Sequence, residues 1–407
     1  MPYDLKNRAG IGLPIAMGAM VIIGIVIAAG AFASLHDYRI DRNMLFQERA
    51  LGAAEEGQAR LVKDWSPAWN NKPYGDTLLR RYTLADGSVA RVVATRLNQW
   101  TFSVASEGAV NQTSRQLNAR RRTNLLLRLH VPNLRMPAAI SARDATRATG
   151  SGQMDGNDVN PPGWDCDAPG TPAGAIATDS INDSGTAGAC AGEACLTTAA
   201  PAARMADSVL RDTTMYGSAL GWDELKALAL TPGTGLVFDI TATGGSFTNV
   251  SPTGPSYNAD GSCNRVDPRN WGDINRTVPA GKCEGYFPTI YLRGGINNNA
   301  IINGNGSGQG ILIVDGNLQV NGNFKWYGPI IVRGNFLTNG TALPNPGVKI
   351  VGGVLAGNFN CNSSTPSSPC NNISGNTSMQ FSRCALSKAV LANAKVVPST
   401  RSWADLF

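Results

Sequence analysis

The sequence predicts an α+β fold with a long N-terminal helix, an antiparallel sheet and a β-rich C-terminal region stapled by disulfides. Three observations predict it. An uncharged apolar segment near the N-terminus runs on into an amphipathic one. Short runs of β-forming residues separated by turn residues follow it, and eight cysteines lie beyond them among Gly- and Asn-rich repeats. The 407 residues suffice for two or three domains with a sizeable core.

Charge is sparse and unevenly placed. Charged residues make up 16% of the chain, whereas about 25% is typical of soluble domains. The net charge is +6, yet residues 76–130 hold nine arginines against three acids, and residues 151–203 hold seven acids and no Lys or Arg. These two segments have fields of opposite sign, and we expect them to face each other or a neighbouring subunit.

The apolar segment from Ile11 to Leu35 contains 25 residues without a charge, and about 20 suffice to cross a bilayer as a helix. Lys6 and Arg8 precede it, which predicts a cytoplasmic N-terminus. A secretory signal has an apolar core of only about 7–15 residues. Although Ala31–Ala33 imitates a cleavage site, we therefore predict a membrane-spanning helix over 11–35 and keep the signal peptide as the alternative.

The helix is predicted to continue to residue 65, because no proline follows until Pro67. Charges of both signs are interspersed along this half, as on an exposed helix. A helix from Leu13 to Lys63 would be roughly 75 Å long at 1.5 Å per residue. The apolar residues near one helical face are Leu35, Tyr38, Leu45, Leu51 and Val62, and the small-residue patch open to close approach is Ala50, Ala53, Ala54 and Gly57.

Residues 66–148 are predicted to form an antiparallel sheet of four strands. Four β-rich runs lie within 79–85, 88–97, 100–108 and 120–131, and Asp86-Gly87 and Asn98-Gln99 are suited to tight turns. The run Arg120–Arg122 could neutralise phosphates. No aromatic residues are interleaved with it, so we favour a solvated strand and do not expect nucleic acid as a partner.

The eight cysteines favour disulfides in an oxidising compartment. Pairing nearest neighbours suggests Cys190–Cys195, Cys263–Cys283 and Cys361–Cys370, which leaves Cys166 with Cys384, among 105 possible connectivities. A metal site is the alternative, but there is no CxxC and the only histidines are His36 and His130. No metal or cofactor is therefore expected. Residues 149–205 are predicted to be an acidic Gly/Pro/Cys-rich insert.

Residues 206–407 are predicted to form a β-rich domain that ends in a helix. Five short β-rich runs within 301–359 each end in Gly-Asn. Glycine adopts positive φ and asparagine tolerates tight corners, so each unit turns sharply. Such repeats predict a short β-solenoid or a coiled sheet of two or three coils. The Gly-rich run 304–310 lacks the Lys-Ser/Thr of a phosphate-binding loop.

A basic leader ending in Gly10, an apolar segment starting at Ile11 and an amphipathic continuation resemble the class III signal of type IV pilins and pseudopilins. The likeness is greatest to PilX-type minor pilins, which have similar segments to those at 39–57, 283–295, 306–318, 326–336 and 381–407. This resemblance implies a leader peptide over 1–10, cleavage by a prepilin peptidase between Gly10 and Ile11, and methylation of the new N-terminus.

The resemblance also implies where the protein is located before and after assembly. Before assembly the helix would lie in the bacterial inner membrane with a periplasmic head. Afterwards it would pack against other pilin subunits inside an extracellular filament. The residues of the filament-core helix would include Leu13, Pro14, Ile15, Ile22 and Ile25.

One departure from the family concerns Ile15. Major pilins carry a Glu at this position, the fifth of the mature chain, which pairs with a neighbour's N-terminus; a charge inside the membrane needs such a partner. Its absence, shared with the K-type pseudopilin at the tip of secretion pseudopili, suggests by analogy a tip or initiating subunit. The alternative is that Ile15 merely faces lipid in an ordinary anchored protein.

No catalytic motif is present: the chain has neither GxSxG nor HExxH. We therefore expect a structural subunit of a type IV filament and no enzyme. The structural alternative is a membrane-anchored surface adhesin with a β-solenoid, whose glycan or surface ligand stays open. The enzymatic alternative is an anchored polysaccharide hydrolase, for which Asp239, Asp315 and Glu284 are the carboxylates to test.

Overall fold

The computed structural model of the chain describes residues 12–112, 117–131, 134, 136–143, 146–164, 166, 173–177, 181–183, 222–240, 252–276, 283–295, 298–340, 347–357, 370–399 and 403–406. The chain divides into two compact units. The first unit contains 12–65, 73–128 and the described part of 397–407, and the second contains 66–72 and the described part of 129–396.

The described residues form three α-helices, one short 3₁₀ helix and a series of β-strands. The helices are α1 (Gly12–Lys63), the 3₁₀ helix (Pro67–Asn71), α2 (Trp222–Ala229) and α3 (Arg383–Ala392). The strands are β1 (Thr77–Thr83), β2 (Val89–Arg96), β3 (Thr101–Gln112), β4 (Leu117–His130), β5 (Ala138–Ala142), β6 (Thr146–Ala148), β7 (Gln153–Asp155), β8 (Ala173–Ala177), β9 (Ile181–Asp183), β10 (Gly235–Asp239), β11 (Thr289–Arg293), β12 (Asn299–Ile302), β13 (Asn305–Gln309), β14 (Ile311–Val314), β15 (Asn317–Val332), β16 (Phe336–Gly340), β17 (Val348–Ala356), β18 (Asn371–Gly375), β19 (Thr377–Phe381), β20 (Lys395–Pro398) and β21 (Ala404–Leu406).

The predicted long N-terminal helix is confirmed: α1 is one uninterrupted helix of 52 residues. Pro14 lies in its first turn, where the missing N–H removes no intrahelical hydrogen bond. Arg60 and Lys63 lie in its last turn, where positive charge suits the helix dipole. The helix ends before Ser66, which is extended (φ −96°, ψ 133°) because the ring of Pro67 disfavours helical backbone before it.

The predicted antiparallel sheet is confirmed in the first unit. Strands β1 to β4 pair with their sequence neighbours, and β20 and β21 pair with β4 at the far edge. The turn between β1 and β2 uses Gly87 at φ 80°, and the Asp86 carboxylate accepts hydrogen bonds from Ser88 N and Oγ. The sequence assigned residues 206–407 to the C-terminal region, whereas the structure places the last strand, with Ala404 opposite Asn124, in this sheet.

The second unit is built from three ladders of parallel strands, A, B and C. Ladders B and C share the long strand β17, and all three ladders contain the long strand β15. Their members are β12, β15, β16, β18, β6 and β9 in ladder A; β13, β15, β17, β19 and β7 in ladder B; and β10, β11, β14, β15, β17, β5 and β8 in ladder C. Asn299 lies opposite Asn317, Asn305 opposite Asn323, and Leu312 opposite Ile330. All three pairings have the same offset along the chain, so successive turns lie in register.

Two distant chain segments contribute to the same ladders. Ile140 of β5 lies opposite Val354, Thr146 of β6 opposite Asn371, and Gln153 of β7 opposite Ser378. The sequence assigned 66–148 to the antiparallel sheet and 149–205 to an irregular insert, but the structure places β5 to β9 in the parallel ladders. The physical reason is that these strands are three to five residues long and take their partners from far along the chain.

Glycines at the corner between ladders B and C explain why the turns stack closely. Gly310, Gly328 and Gly352 have φ of 118°, 136° and 147°. A Cβ on Gly328 would lie 2.1 Å from the carbonyl oxygen of Gly310, and a Cβ on Gly352 would lie 2.3 Å from that of Gly328. Only glycine combines this backbone conformation with this approach.

Asparagine side chains connect successive turns on the outside of the ladders. Asn317 Nδ2 donates to Asn299 Oδ1 at 2.8 Å, and Asn321 Nδ2 donates to Asn303 Oδ1 at 2.7 Å. Inside, the core contains Phe324 stacked on Trp326, with centroids 6.2 Å apart, among aliphatic residues that are buried on the inner faces of all three ladders. The β-rich character predicted for the C-terminal region is confirmed.

Candidate functional site: the apolar half of the N-terminal helix

The first half of α1 presents apolar side chains to its surroundings. Leu13, Ile15, Ile22 and Ile25 are 74%, 65%, 63% and 63% exposed. Every residue from 12 to 41 is exposed. Burial of such a side chain contributes about 1.5–3 kcal/mol, so the exposed stripe is costly in water. Helix α1 is long and apolar enough to cross a membrane by length and composition.

The other predicted residues of this segment divide between described and undescribed positions. Pro14 lies in the first turn of α1, beside the exposed Ile15. Gly10 and Ile11, the predicted processing site, lie outside the described residues. The carboxylate that the resemblance leads one to expect at position 15 is replaced by a side chain with no hydrogen-bonding group.

The second half of α1 is amphipathic and packs on the antiparallel sheet. The small-residue patch that the sequence predicts is the contact: Ala50 and Ala54 are fully buried. A Cβ on Gly108 of β3 would lie 1.9 Å from Ala50 O, and a Cβ on Gly57 would lie 2.5 Å from Ala90 Cβ. Strand and helix backbones therefore approach as closely as glycine allows. Gln58, 3% exposed, is satisfied because its Nε2 donates to Val104 O at 3.0 Å.

A groove of about 540 Å³ opens beside this half of the helix, within the first unit. Its walls are mostly apolar and come from α1, from β4 and from the C-terminal residues; they are Glu55, Gln58, Ala59, Val62, Leu125, Pro398 and Trp403. The sequence did not predict this groove. Trp403 lies in the segment 381–407 that the resemblance includes, but nothing in the sequence placed it beside Val62.

The carboxylates singled out for hydrolysis are held by arginines. Asp239 Oδ2 lies 2.9 Å from Arg293 Nη2, and Asp315 Oδ1 lies 3.2 Å from Arg333 Nη1. Asp315 also accepts a hydrogen bond of 2.5 Å from Tyr291 Oη; burial, followed by this bond, raises the pKa of Tyr291 above its ordinary value.

Because β11 and β14 are adjacent in ladder C, Asp239, Arg293, Asp315 and Arg333 alternate in sign along one corner. Each of the two acids is therefore paired with an arginine. Glu284 lies apart from them, 4.0 Å from Arg276.

The cysteines of the described residues are joined as the nearest-neighbour pairing suggests. Cys166 is bonded to Cys384, and Cys263 is bonded to Cys283. Cys370 is also disulfide-bonded, while Cys190, Cys195 and Cys361 lie outside the described residues. Within the described ranges no group of three or more His, Cys, Asp or Glu side chains is placed to hold a metal ion.

No protein-family model matches the chain, and no curated protein matches it in sequence. Among solved structures it is similar to the competence-associated pilin ComZ from Thermus thermophilus, at 12% sequence identity and a TM-score of 0.26. The match covers 89% of this chain and 97% of that chain. A TM-score of this size does not establish a common fold.

Proposed function

We propose that the chain is a pilin-like subunit of a type IV filament, with α1 as both membrane anchor and assembly helix. The observation that carries the proposal is the division of this single helix into two halves. Its first half is exposed and apolar, and its second half is buried on a sheet through Ala50, Ala54 and Gly57. A plain anchor needs only the first half, whereas an assembly helix needs a rigid connection to a folded head.

We propose the following steps of membrane insertion, processing and assembly. The chain is inserted with its leader in the cytoplasm and its head in the periplasm. A prepilin peptidase cuts between Gly10 and Ile11, and the new N-terminus is methylated. The apolar half then leaves the lipid and packs against the helices of other subunits, which offer the same apolar surroundings. With Ile15 in place of an acid, the subunit lacks one charge contact for joining a growing filament, which supports a tip or initiating position in the manner of minor pilins.

The alternative, a membrane-anchored adhesin, is favoured by the second unit. The pairings of β12, β13 and β14 with β15 share one offset along the chain in all three parallel ladders, and this supports a short β-solenoid. Such a solenoid gives a rigid surface for binding a ligand. A subunit at the tip of a filament could bind a ligand through the same surface. The two candidates therefore differ in what α1 does and share the head.

The proposed function is structural and without catalysis. Asp239 and Asp315 are each paired with an arginine, whereas a glycoside hydrolase needs two carboxyl groups that flank the scissile bond.

Sequencing of the mature N-terminus tests the proposal. We expect a start at Ile11 in the native chain and an unprocessed chain in Gly10→Phe, which would also be absent from sheared surface filaments. Gly18→Phe is the matched control, since Gly18 lies in the same apolar helix with open space around its Cα, and it should be processed normally. A native start at Met1 would favour the anchored adhesin, a start at Ser34 would favour a secreted protein, and normal processing of Gly10→Phe would refute the pilin proposal.

A further inference from the structure

A row of polar side chains crosses the outer side of ladder B in the second unit. Successive pairings place Ser307 opposite Lys325, Lys325 opposite Lys349, Lys349 opposite Ser378, and Ser378 opposite Gln153. We call these five residues the lysine row. Their strand neighbours Phe324, Trp326, Val348 and Ile350 are buried. Because side chains alternate along a strand, the lysine row points away from the core.

Two cations lie side by side in this row. Cα atoms of adjacent strands are about 4.8 Å apart, and like charges directly opposite one another are unfavourable. In the part of the chain that the structure describes, the salt bridges involve neither Lys325 nor Lys349. Among the described residues of ladder B the acid on the outer side is Asp155, which lies two strands away from Lys349, opposite Gln380, and accepts a hydrogen bond from Gln380 Nε2 at 3.4 Å. No acid among these residues is therefore paired with either lysine, and a bound anion would relieve a repulsion that the fold leaves in place.

Amides and hydroxyls flank the two cations. Asn305 and Asn323 lie two residues before Ser307 and Lys325 and therefore on the same side of ladder B; Asn323 Nδ2 donates to Asn305 Oδ1 at 2.8 Å. Around the corner at Gly322, Asn303, Asn321 and Asn339 continue on ladder A. Each amide offers both a donor and an acceptor, as each serine hydroxyl does. These groups are held by backbone register, so binding would cost little ordering of the protein.

We propose that the lysine row and the adjoining amides form a binding surface for an acidic polysaccharide. Its carboxylates would lie over Lys325 and Lys349, and its hydroxyls would exchange hydrogen bonds with Asn305, Asn323 and the two serines. Charge complementarity selects an anionic ligand, and the amides select one rich in hydroxyls. Nucleic acid fits less well, because the row contains no aromatic side chain on which bases could stack. The surface belongs to the head and does not depend on how α1 is processed.

The test uses the full chain in detergent, with polygalacturonate as the acidic probe, dextran as the neutral probe and duplex DNA as a second polyanion. We expect polygalacturonate to bind and dextran to bind at least tenfold more weakly. The variant Lys325→Gln/Lys349→Gln should lose at least tenfold in affinity for polygalacturonate, and Lys325→Arg/Lys349→Arg should retain it. The control Lys63→Gln/Lys395→Gln removes the same net charge from exposed positions elsewhere and should change affinity less than twofold.

Three results would overturn the polysaccharide proposal. Failure of the native chain to bind polygalacturonate would do so directly. An equal loss in the control variant would show that net charge alone attracts the polymer. DNA binding of equal strength that is lost in the same variant would show a general polyanion site in place of a polysaccharide surface. The N-terminal sequence reports separately on the pilin proposal, so failure of one leaves the other standing.

Discussion

The two units of the molecule both pair strands into sheets, but they reach register in different ways. In the first unit, β1 to β4 pair with their neighbours in sequence, and short turns such as the one at Gly87 set the register. In the second unit, partners lie one full turn of chain apart, as with Leu312 and Ile330 or Lys325 and Lys349. Other partners, such as Thr146 and Asn371, lie farther apart still.

This difference shows where each unit is vulnerable. The antiparallel sheet is stabilised by local turns and by close contacts with α1 at Gly108 and Gly57. The parallel ladders depend on corners that only glycine can adopt and on links between distant segments. Contacts between distant residues cost more loop-closure entropy, so we expect the second unit to depend on its disulfides more than the first depends on any single link.

The largest expected effect concerns Cys166–Cys384, which joins residues 218 positions apart and ties α3 to the segment that contains β5 to β9. Replacing both cysteines with serine should destabilise the second unit by about 5 kcal/mol in the chain-entropy model, against about 3 kcal/mol for Cys263–Cys283 with its separation of 20. Denaturant unfolding followed by hydrogen exchange in each unit measures both losses. A larger loss from the Cys263–Cys283 replacement would contradict the view that distant links dominate.

The next largest effect is the loss of stability caused by replacing one closely packed glycine in each unit with alanine. Gly328→Ala should destabilise the second unit by on the order of 4 kcal/mol, since its Cβ would meet Gly310 O at 2.1 Å at a φ of 136°. Gly108→Ala should do the same in the first unit, since its Cβ would meet Ala50 O at 1.9 Å. Hydrogen exchange should place each loss in the unit that carries the substitution.

Two further glycines serve as controls for this pair, because nothing lies within 4 Å of a Cβ placed on Gly285 or Gly52. Gly285→Ala should change stability little, and Gly52→Ala should stabilise α1 by up to about 1 kcal/mol. If the controls were as costly as Gly328→Ala and Gly108→Ala, close backbone approach would not be what these positions require.

The last effect is a dependence of the second unit's stability on alkaline pH. Burial raises the pKa of Tyr286, which is 3% exposed, to about 12. An unfolded chain releases this proton near pH 10. The folded state keeps it, so stability is constant below about pH 10 and falls as the pH rises toward 12, by up to about 3 kcal/mol.

Tyr286→Phe should flatten this fall, since phenylalanine has no proton to lose, and the hydrogen bond given up is a long one of 3.5 Å to Arg265 O. Denaturant midpoints of the second unit at about pH 9 and about pH 11 measure the slope. The slope that remains should come from Tyr257, Tyr291 and Tyr327, whose pKa values burial also raises. An unchanged slope in Tyr286→Phe would show that this phenol is not buried as described.

Several features followed from local patterns. The absence of proline between Pro14 and Pro67 predicted α1, and Ala50, Ala54 and Gly57 predicted the face that packs. Turn residues such as Asp86-Gly87 predicted the antiparallel strands. These features are recognisable because their determinants lie within a few residues of the structure that they specify.

Other features could not be predicted in the same way. The strand β5 is a run of small and apolar residues whose partner β17 lies in a distant part of the chain, with Ile140 opposite Val354. The groove beside α1 depends on Pro398 and Trp403 returning to β4 at the end of the chain. The pairing of Lys325 with Lys349 depends on a turn of chain that is longer than the one between Ser307 and Lys325. No local pattern encodes a register of this kind.

Local sequence patterns predicted the apolar and amphipathic halves of α1, the antiparallel sheet, and glycine and asparagine at the corners. Nearest-neighbour pairing suggested Cys263–Cys283 and left Cys166 with Cys384. Only the folded structure shows that strands β5 to β9 join ladders formed by strands β10 to β19, and that two lysines meet on the outer side of ladder B. The physical reason is that helices and tight turns are specified by neighbouring residues. Parallel pairing is specified by the fit of distant strands, which exists only once the chain has folded.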